Sequence, residues 1–233
     1  MLPFAWNPLY WVFLAPALLF MLYAQWRVRS AYGQWSRVAN SRRLPGARVA
    51  QELIAQNGLF SVSIRGIQGQ LTDNYDPRSK TLNLSESTAR HESVASMAIV
   101  AHEVGHAAQD ASGFALLRLR SGLVPAVNFG SQLGPILFII GFFMQFNPLM
   151  WLGIVFFSMA FLFALVTLPV EIDASARAMR MLRQSGLLVG DREIGGARAV
   201  LSAAALTYVA ALLTALAQLL YYVVLASSGR RRD

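Results

Sequence analysis

The stretch Ser93-Val-Ala-Ser-Met-Ala-Ile-Val-Ala-His102-Glu103-Val-Gly-His106-Ala-Ala-Gln109 sets polar, ionisable side chains into an otherwise apolar run. Its alanine, isoleucine, valine and methionine, uninterrupted by proline, read as a buried helix. Four residues apart, His102 and His106 fall about 40° from each other around such a helix, so both rings reach one metal ion. Glu103, about 100° round from His102, is placed beside an open coordination position, where a carboxylate takes a proton from a metal-activated water. The pattern points to peptide-bond hydrolysis. A bare HExxH also arises by chance on surface helices, but the chain has only three histidines and two of them sit here. An unpaired ring would be costly to bury in so apolar a helix. Gly105, between the histidines, removes a side chain and lets another element approach closely.

Outside this helix the chain is that of a membrane protein. Of its 233 residues 55% are hydrophobic and only 14% charged, with a mean hydropathy of +0.45. The absence of cysteine excludes a disulfide framework and a thiolate metal site, so any zinc must take nitrogen and oxygen ligands. In a soluble protein a net charge of +8 would suggest nucleic acid; here the basic residues read as topology signals beside membrane spans, and no nucleic-acid partner is expected.

Towards the N-terminus, Leu9 to Gln25 is apolar, with Tyr10 and Trp11 at one end and Tyr23 and Trp26 at the other, as in a spanning helix with aromatic belts. With no basic n-region and no Ala-x-Ala type site, it reads as a retained anchor. Arg27, Arg29, Arg37, Arg42, Arg43 and Arg48 follow, which places the next segment in the cytoplasm. Leu44-Pro45-Gly46 opens a helix through Val49, Leu53 and Ile54 that Asn57-Gly58 stops. Val62 and Ile64 alternate with serines, and strands on either side of the turn Asp76-Pro77-Arg78-Ser79 complete a short antiparallel sheet. Such a sheet offers an edge strand to hold an extended peptide. His91 reads as a surface or capping residue, and Arg118 and Arg120 as snorkelling to headgroups.

Towards the C-terminus, Leu123 to Phe146 and Leu149 to Val170 read as a transmembrane hairpin turning at Asn147-Pro148. Asn128, Ser131 and Gln132 share a polar face suited to interhelical packing, and Gly134-Pro135 marks a candidate kink. Two crossings return the chain to the side carrying the histidines, where the first acidic residue is Glu171, in Pro169-Val-Glu171-Ile-Asp173-Ala-Ser175. No histidine stands six positions beyond His106; position 112 is serine. Glu171 is therefore the expected third ligand, with Asp173 orienting an imidazole or serving as substitute ligand. Asp191 and Glu193 read as surface charge. A fourth hydrophobic stretch, Val200 to Ala226, carries Thr207, Thr214, Gln218 and Tyr221 on an inward face. Of 20 basic residues, 12 lie between residues 27 and 122, five between 171 and 199, and Arg230, Arg231 and Arg232 end the chain on the opposite side.

Five motifs together carry a family resemblance: Leu71-Thr-Asp-Asn-Tyr-Asp-Pro77, Leu82-Asn-Leu-Ser85, Ala101-His-Glu-Val-Gly-His-Ala-Ala-Gln109, Val124-Pro-Ala-Val-Asn-Phe129 and Leu168-Pro-Val-Glu-Ile-Asp-Ala-Ser175. They resemble the membrane-bound neutral zinc metallopeptidases of the YugP type, a gluzincin-like group related in layout to the HtpX proteases. The resemblance runs from about Gly66 to the end of the third span; the first 60 residues match only as an anchor followed by a basic helix. It implies Zn2+ held by His102, His106 and Glu171, with Glu103 as general base. Some relatives carry Glu-x-x-Ala-Asp, whereas this chain has Ser175 where that aspartate would stand, and Asp173 is the candidate to take over its role. Asn74 stands where the family often has histidine and receives no role.

The expected fold is mainly α: four transmembrane helices plus a small α+β zincin-like cytoplasmic catalytic domain with a short antiparallel sheet. The expected divisions are an anchor at 1–26, the catalytic domain at 27–122, a transmembrane hairpin at 123–170, a third-ligand helix and loop at 171–199, and a fourth span with basic tail at 200–233. The expected function is a membrane-integrated zinc metalloendopeptidase of a bacterial inner membrane. The resemblance implies membrane or membrane-proximal polypeptides of such a membrane as substrates, in membrane protein quality control; Tyr75 is a candidate beside zinc for oxyanion stabilisation, and other membrane subunits are possible partners. The alternative is a non-catalytic zinc-binding scaffold or subunit of a membrane complex. A site-2-type intramembrane protease is disfavoured, since no Asp-Gly follows Asn147-Pro148.

Overall fold

The computed structural model describes residues 8–229, so the terminal arginines Arg230, Arg231 and Arg232 lie outside the described residues. Its elements in chain order are α1 (Pro8–Trp35), α2 (Gly46–Gln56), β1 (Ser63–Ile67), β2 (Asn74–Asp76), β3 (Thr81–Ser85), α3 (Glu86–Arg90), α4 (Val94–Ala111), α5 (Ala115–Phe143), α6 (Asn147–Gln184) and α7 (Gly190–Gly229). The fold is mainly helical, and α1, α5, α6 and α7 are long and apolar enough to cross a membrane. The chain divides into two compact units.

One unit comprises Gln25–Leu117 and Val170–Leu206. Its core gathers Val49, Ala50 and Leu53 of α2, Leu82 and Leu84 of β3, Met97, Val100, Ala101 and Val104 of α4, and Leu182 of α6. The apolar residues of α2 recur at helical spacing, and Gly46 lets its first turn lie against the backbone carbonyl of Thr88, where a Cβ would collide. The helix ends as its sequence indicates: Asn57 caps the C-terminus, its Nδ2 donating to Leu53 O at 2.8 Å, and Gly58 takes φ +67°. Ser93 caps α4, its hydroxyl accepting from the Ser96 amide at 3.1 Å.

The sheet is mixed where the sequence suggested purely antiparallel pairing. Its order is β1-β3-β2, with β2 antiparallel to β3 and β1 parallel to it. The turn after Asp76 forms the expected hairpin, Asp76 accepting from the Arg78 amide at 3.0 Å and the Ser79 hydroxyl at 2.7 Å. The segment between β1 and β2, however, carries the chain past the strand still to come, so β3 inserts between them and meets β1 in parallel. Alternation within a strand reports which face is buried but is silent on neighbour order. Asp73 in that segment is an anchor, accepting from the Ser85 amide at 2.7 Å and the Thr88 hydroxyl at 2.9 Å.

Glu193 also departs from expectation. It is buried, not surface charge, accepting from the Ser41 amide and hydroxyl at 2.7 Å each and from the Val189 amide at 2.8 Å. A carboxylate three residues into a helix satisfies backbone donors at its entrance.

The other unit comprises the chain up to Ala24, Arg118–Pro169, and the chain from Thr207. Here α5 is a single helix through Gly134-Pro135, and its glycines serve a close helix contact: a Cβ on Gly134 would meet Phe157 N at 2.7 Å and Gly153 O at 2.9 Å, both on α6. The turn between α5 and α6 falls on residues 144–146, with Pro148 in the first turn of α6, where its missing N–H costs nothing. Asn128 and Gln132 lie on the exposed face of α5, roughly opposite the glycine contacts, and do not pack inward. On α7, Tyr221 is wholly buried beside Tyr10 and Phe13, as its inward face requires.

Candidate metal centre

Two helical segments of one unit make the candidate site: α4 supplies both histidines and the part of α6 from Val170 onward the glutamate. Nε2 of His102 lies 3.1 Å and Nε2 of His106 lies 3.5 Å from the same carboxylate oxygen, Oε2 of Glu171. The candidate ligand atoms of the three residues all fall within 4.8 Å of one another. Glu171 and His106 are buried and His102 nearly so. A carboxylate so buried is strongly disfavoured without a positive or metal partner.

The close approach of α4 and α6 follows from Gly105. A Cβ there would stand 2.5 Å from the carbonyl oxygen of Ala174, so only glycine lets the α6 backbone lie between the two histidines' turns. Contacts along this seam run antiparallel: His102 meets Ser175, Gly105 meets Ala174, and Gln109 meets Val170 and Asp173. The α4 positions 102, 105, 106 and 109 form one helical stripe.

Both rings are held by their Nδ1 atoms, which leaves both Nε2 atoms toward Glu171. Ser175 Oγ lies 3.1 Å from His102 Nδ1, and Gln109 Oε1 lies 2.9 Å from His106 Nδ1. Gln109 is wholly buried, and its Nε2 donates to Val170 O at 2.8 Å and to Asp173 Oδ2 at 2.9 Å. Asp173 also accepts from Arg177 Nε at 2.6 Å. It touches neither imidazole and reaches His106 only through Gln109. Ser175 faces His102 itself.

Glu103 is 8% exposed and accepts no hydrogen bond from a described residue. Burial pushes its pKa above the ordinary carboxylate value, against the attraction of His102 and His106. For His106 burial alone would lower the pKa, but the Glu171 hydrogen bond and the charges of Glu103 and Glu171 outweigh it and raise it. Tyr75 points its hydroxyl at Asp110, donating to Oδ2 at 2.8 Å, and so ties β2 to the end of α4. His91 is the exposed C-cap of α3.

Sequence reasoning passed over Gln109 and Ser175. Each had a signal: Gln109 is a polar residue one turn beyond His106 on an apolar helix, and Ser175 lies one turn beyond Glu171. Two imidazole nitrogens and a carboxylate oxygen, without thiolate, make a donor set that suits zinc and leaves a fourth position open.

A family model described as "Putative neutral zinc metallopeptidase" matches residues 10–227. A Bacillus subtilis (strain 168) protein named "Putative membrane protease YugP" is 40% identical over 214 residues, 92% of this chain and 95% of that protein. No solved structure matches the chain. Zinc is thus the cofactor, and the cluster of His102, His106 and Glu171 is able to bind a metal ion. Matched over nearly its whole length, the chain belongs to this family of neutral zinc metallopeptidases.

Proposed function

We propose that the protein is a membrane-integrated endopeptidase in which His102, His106 and Glu171 hold zinc and Glu103 is the general base. The carrying observation is the convergence of one ligand atom from each of two histidines and a glutamate, the glutamate 65 residues or more beyond the histidines in sequence, within 4.8 Å. Bound there, zinc supplies Lewis-acid polarisation of the scissile carbonyl and of the attacking water. Glu103 adjoins His102 on α4 and, among the described residues, has no hydrogen-bond partner to give up before it takes the water's proton. Its raised pKa brings proton affinity closer to working pH, which suits a group that then passes that proton to the leaving amine. Asp173 acts at one remove, by fixing Gln109. Strand β2, a sheet edge tied to α4 through Tyr75 and Asp110, is suited to take an extended peptide beside the helix.

Substrates on this reading are membrane or membrane-proximal polypeptides, consistent with the name of the B. subtilis relative, and the role is quality control in a bacterial cell membrane. The concentration of 12 basic residues in 27–122 supports a cytoplasmic face for the unit that carries the site.

The test is Glu103→Gln in the full chain, purified in detergent, assayed on an unfolded protein substrate with bound zinc measured in parallel. Turnover is expected to fall roughly 10²–10⁴-fold with zinc retained. Unchanged turnover would reject Glu103 as base, and a wild-type protein that binds zinc but cleaves nothing would favour a scaffold.

A further inference from the structure

We propose that Gln109 is a positioning residue whose single amide sets both the ring orientation of His106 and the register of the helix that delivers Glu171. The inference rests on the zinc reading above and extends it to a residue that is not itself a ligand. A primary amide has two N–H donors at one end and an acceptor oxygen at the other. Gln109 Nε2 faces two groups that only accept, the carbonyl of Val170 at 2.8 Å and the carboxylate of Asp173 at 2.9 Å. Both donors are thereby used, and the amide cannot be turned over without opposing oxygen to oxygen at two places. Its oxygen must then face His106 Nδ1, 2.9 Å away, and that nitrogen must be the one carrying hydrogen. With Nδ1 committed to Gln109, Nε2 of His106, on the Glu171 side of the ring, is the nitrogen that would offer its lone pair to a bound metal.

The same amide grips α6 on both sides of the ligand, since Val170 and Asp173 flank Glu171 in sequence. One wholly buried group on α4 thus couples the angle of one ligand to the position of another. Arg177 completes the clamp by donating from Nε to the same Asp173 Oδ2, at 2.6 Å. A structural glutamine buried only for packing would not need both ends committed to the ligand-bearing segments of two helices.

The experiment measures zinc affinity of the full chain in detergent by competition with a chromophoric chelator. It compares wild type with Gln109→Met, Gln109→Glu and Gln109→Glu combined with Asp173→Asn, with helix content and thermal midpoint recorded on the metal-free proteins. Gln109→Met keeps the volume and loses all three bonds; zinc affinity is expected to fall roughly 10–100-fold. Gln109→Glu keeps the acceptor for His106 but sets carboxylate against carboxylate at Asp173, and a loss of at least the same size is expected. Adding Asp173→Asn supplies a donor to the new carboxylate and should recover part of that loss, a reversal that general destabilisation of the fold would not produce. Wild-type affinity in folded Gln109→Met, or no recovery in the double variant, overturns the clamp while leaving the three ligands standing. A wild-type protein that takes up no zinc overturns the ligand assignment and the clamp together.

Discussion

Replacing Gly105 with alanine probes the α4–α6 seam without touching a ligand, and its effect follows from the geometry. The new Cβ would stand 2.5 Å from Ala174 O, 3.2 Å from its carbonyl carbon and 3.3 Å from its Cα, all backbone atoms that cannot rotate away. Restoring an ordinary separation of roughly 3.5 Å requires the two helices to part by about 1 Å. That parting is applied between His102 and His106 and against the segment bearing Glu171, whose Oε2 stands 3.1 and 3.5 Å from their Nε2 atoms before the change. A misplacement of about 1 Å costs catalysis on the order of 100-fold. Stability is expected to respond less, because overpacking costs about 1–3 kcal/mol while alanine gains about 1 kcal/mol of helix propensity over glycine. The signature of Gly105→Ala is a folded protein with nearly unchanged helix content, weakened zinc binding and kcat/KM reduced by about two orders of magnitude. Chelator competition, thermal unfolding and peptide turnover read the three quantities separately. Turnover and zinc affinity within threefold of wild type would show that the seam does not set the site.

Glu171→Ala removes the carboxylate that, among the described residues, groups with both histidines; zinc affinity is expected to fall by more than 100-fold with turnover lost, whereas equal zinc content in variant and wild type would exclude it as a ligand. The acidic limb of kcat/KM should track Glu103: protonation removes the base, and because burial raises its pKa, activity is lost on acidification while the pH is still above the ordinary glutamate value of about 4.3. A limb at or below that value, in a protein still folded and zinc-loaded, would dissociate the limb from Glu103.

What could be read from the chain and what could not divides along one physical line. Local order was readable: the 3.6-residue spacing of Val49, Leu53 and Ile54 produced α2, the Asn57-Gly58 pair ended it, and the four long apolar helices announced themselves by length. So was the pairing of His102 with His106, because one helical turn fixes it. The parallel neighbour of β3 was not, since nothing within Ser63–Ile67 records which strand will lie beside it. Glu193 misled for a related reason: beside its local partner Val189 it has one, Ser41, 152 residues away, so its burial is a tertiary event that the helix entrance alone does not reveal. Glu171 is the instructive intermediate case. Its 65-residue separation from His106 is non-local too, yet it could be named because two apolar spans leave few places for the chain to return.

Topology could bring Glu171 to the correct side, but it could not bring it to 3.1 Å. That last step belongs to the antiparallel seam, where Ser175, Ala174 and Val170 descend α6 as His102, Gly105 and Gln109 ascend α4. Sliding α6 by one residue along α4 would turn Glu171 about 100° away from both histidines and leave a buried carboxylate without its partners. Gly105 allows that seam to close, and the polar pairs at its two ends define its register, since each is satisfied in one alignment only. Buried polar groups with a unique set of partners specify position in a way that apolar contacts, which tolerate sliding, do not. The two histidines and the α4 residues that align them, Gly105 and Gln109, therefore occupy one stripe of that helix, and a substitution anywhere on that stripe is expected to register first as a change in metal affinity and only second as a change in fold.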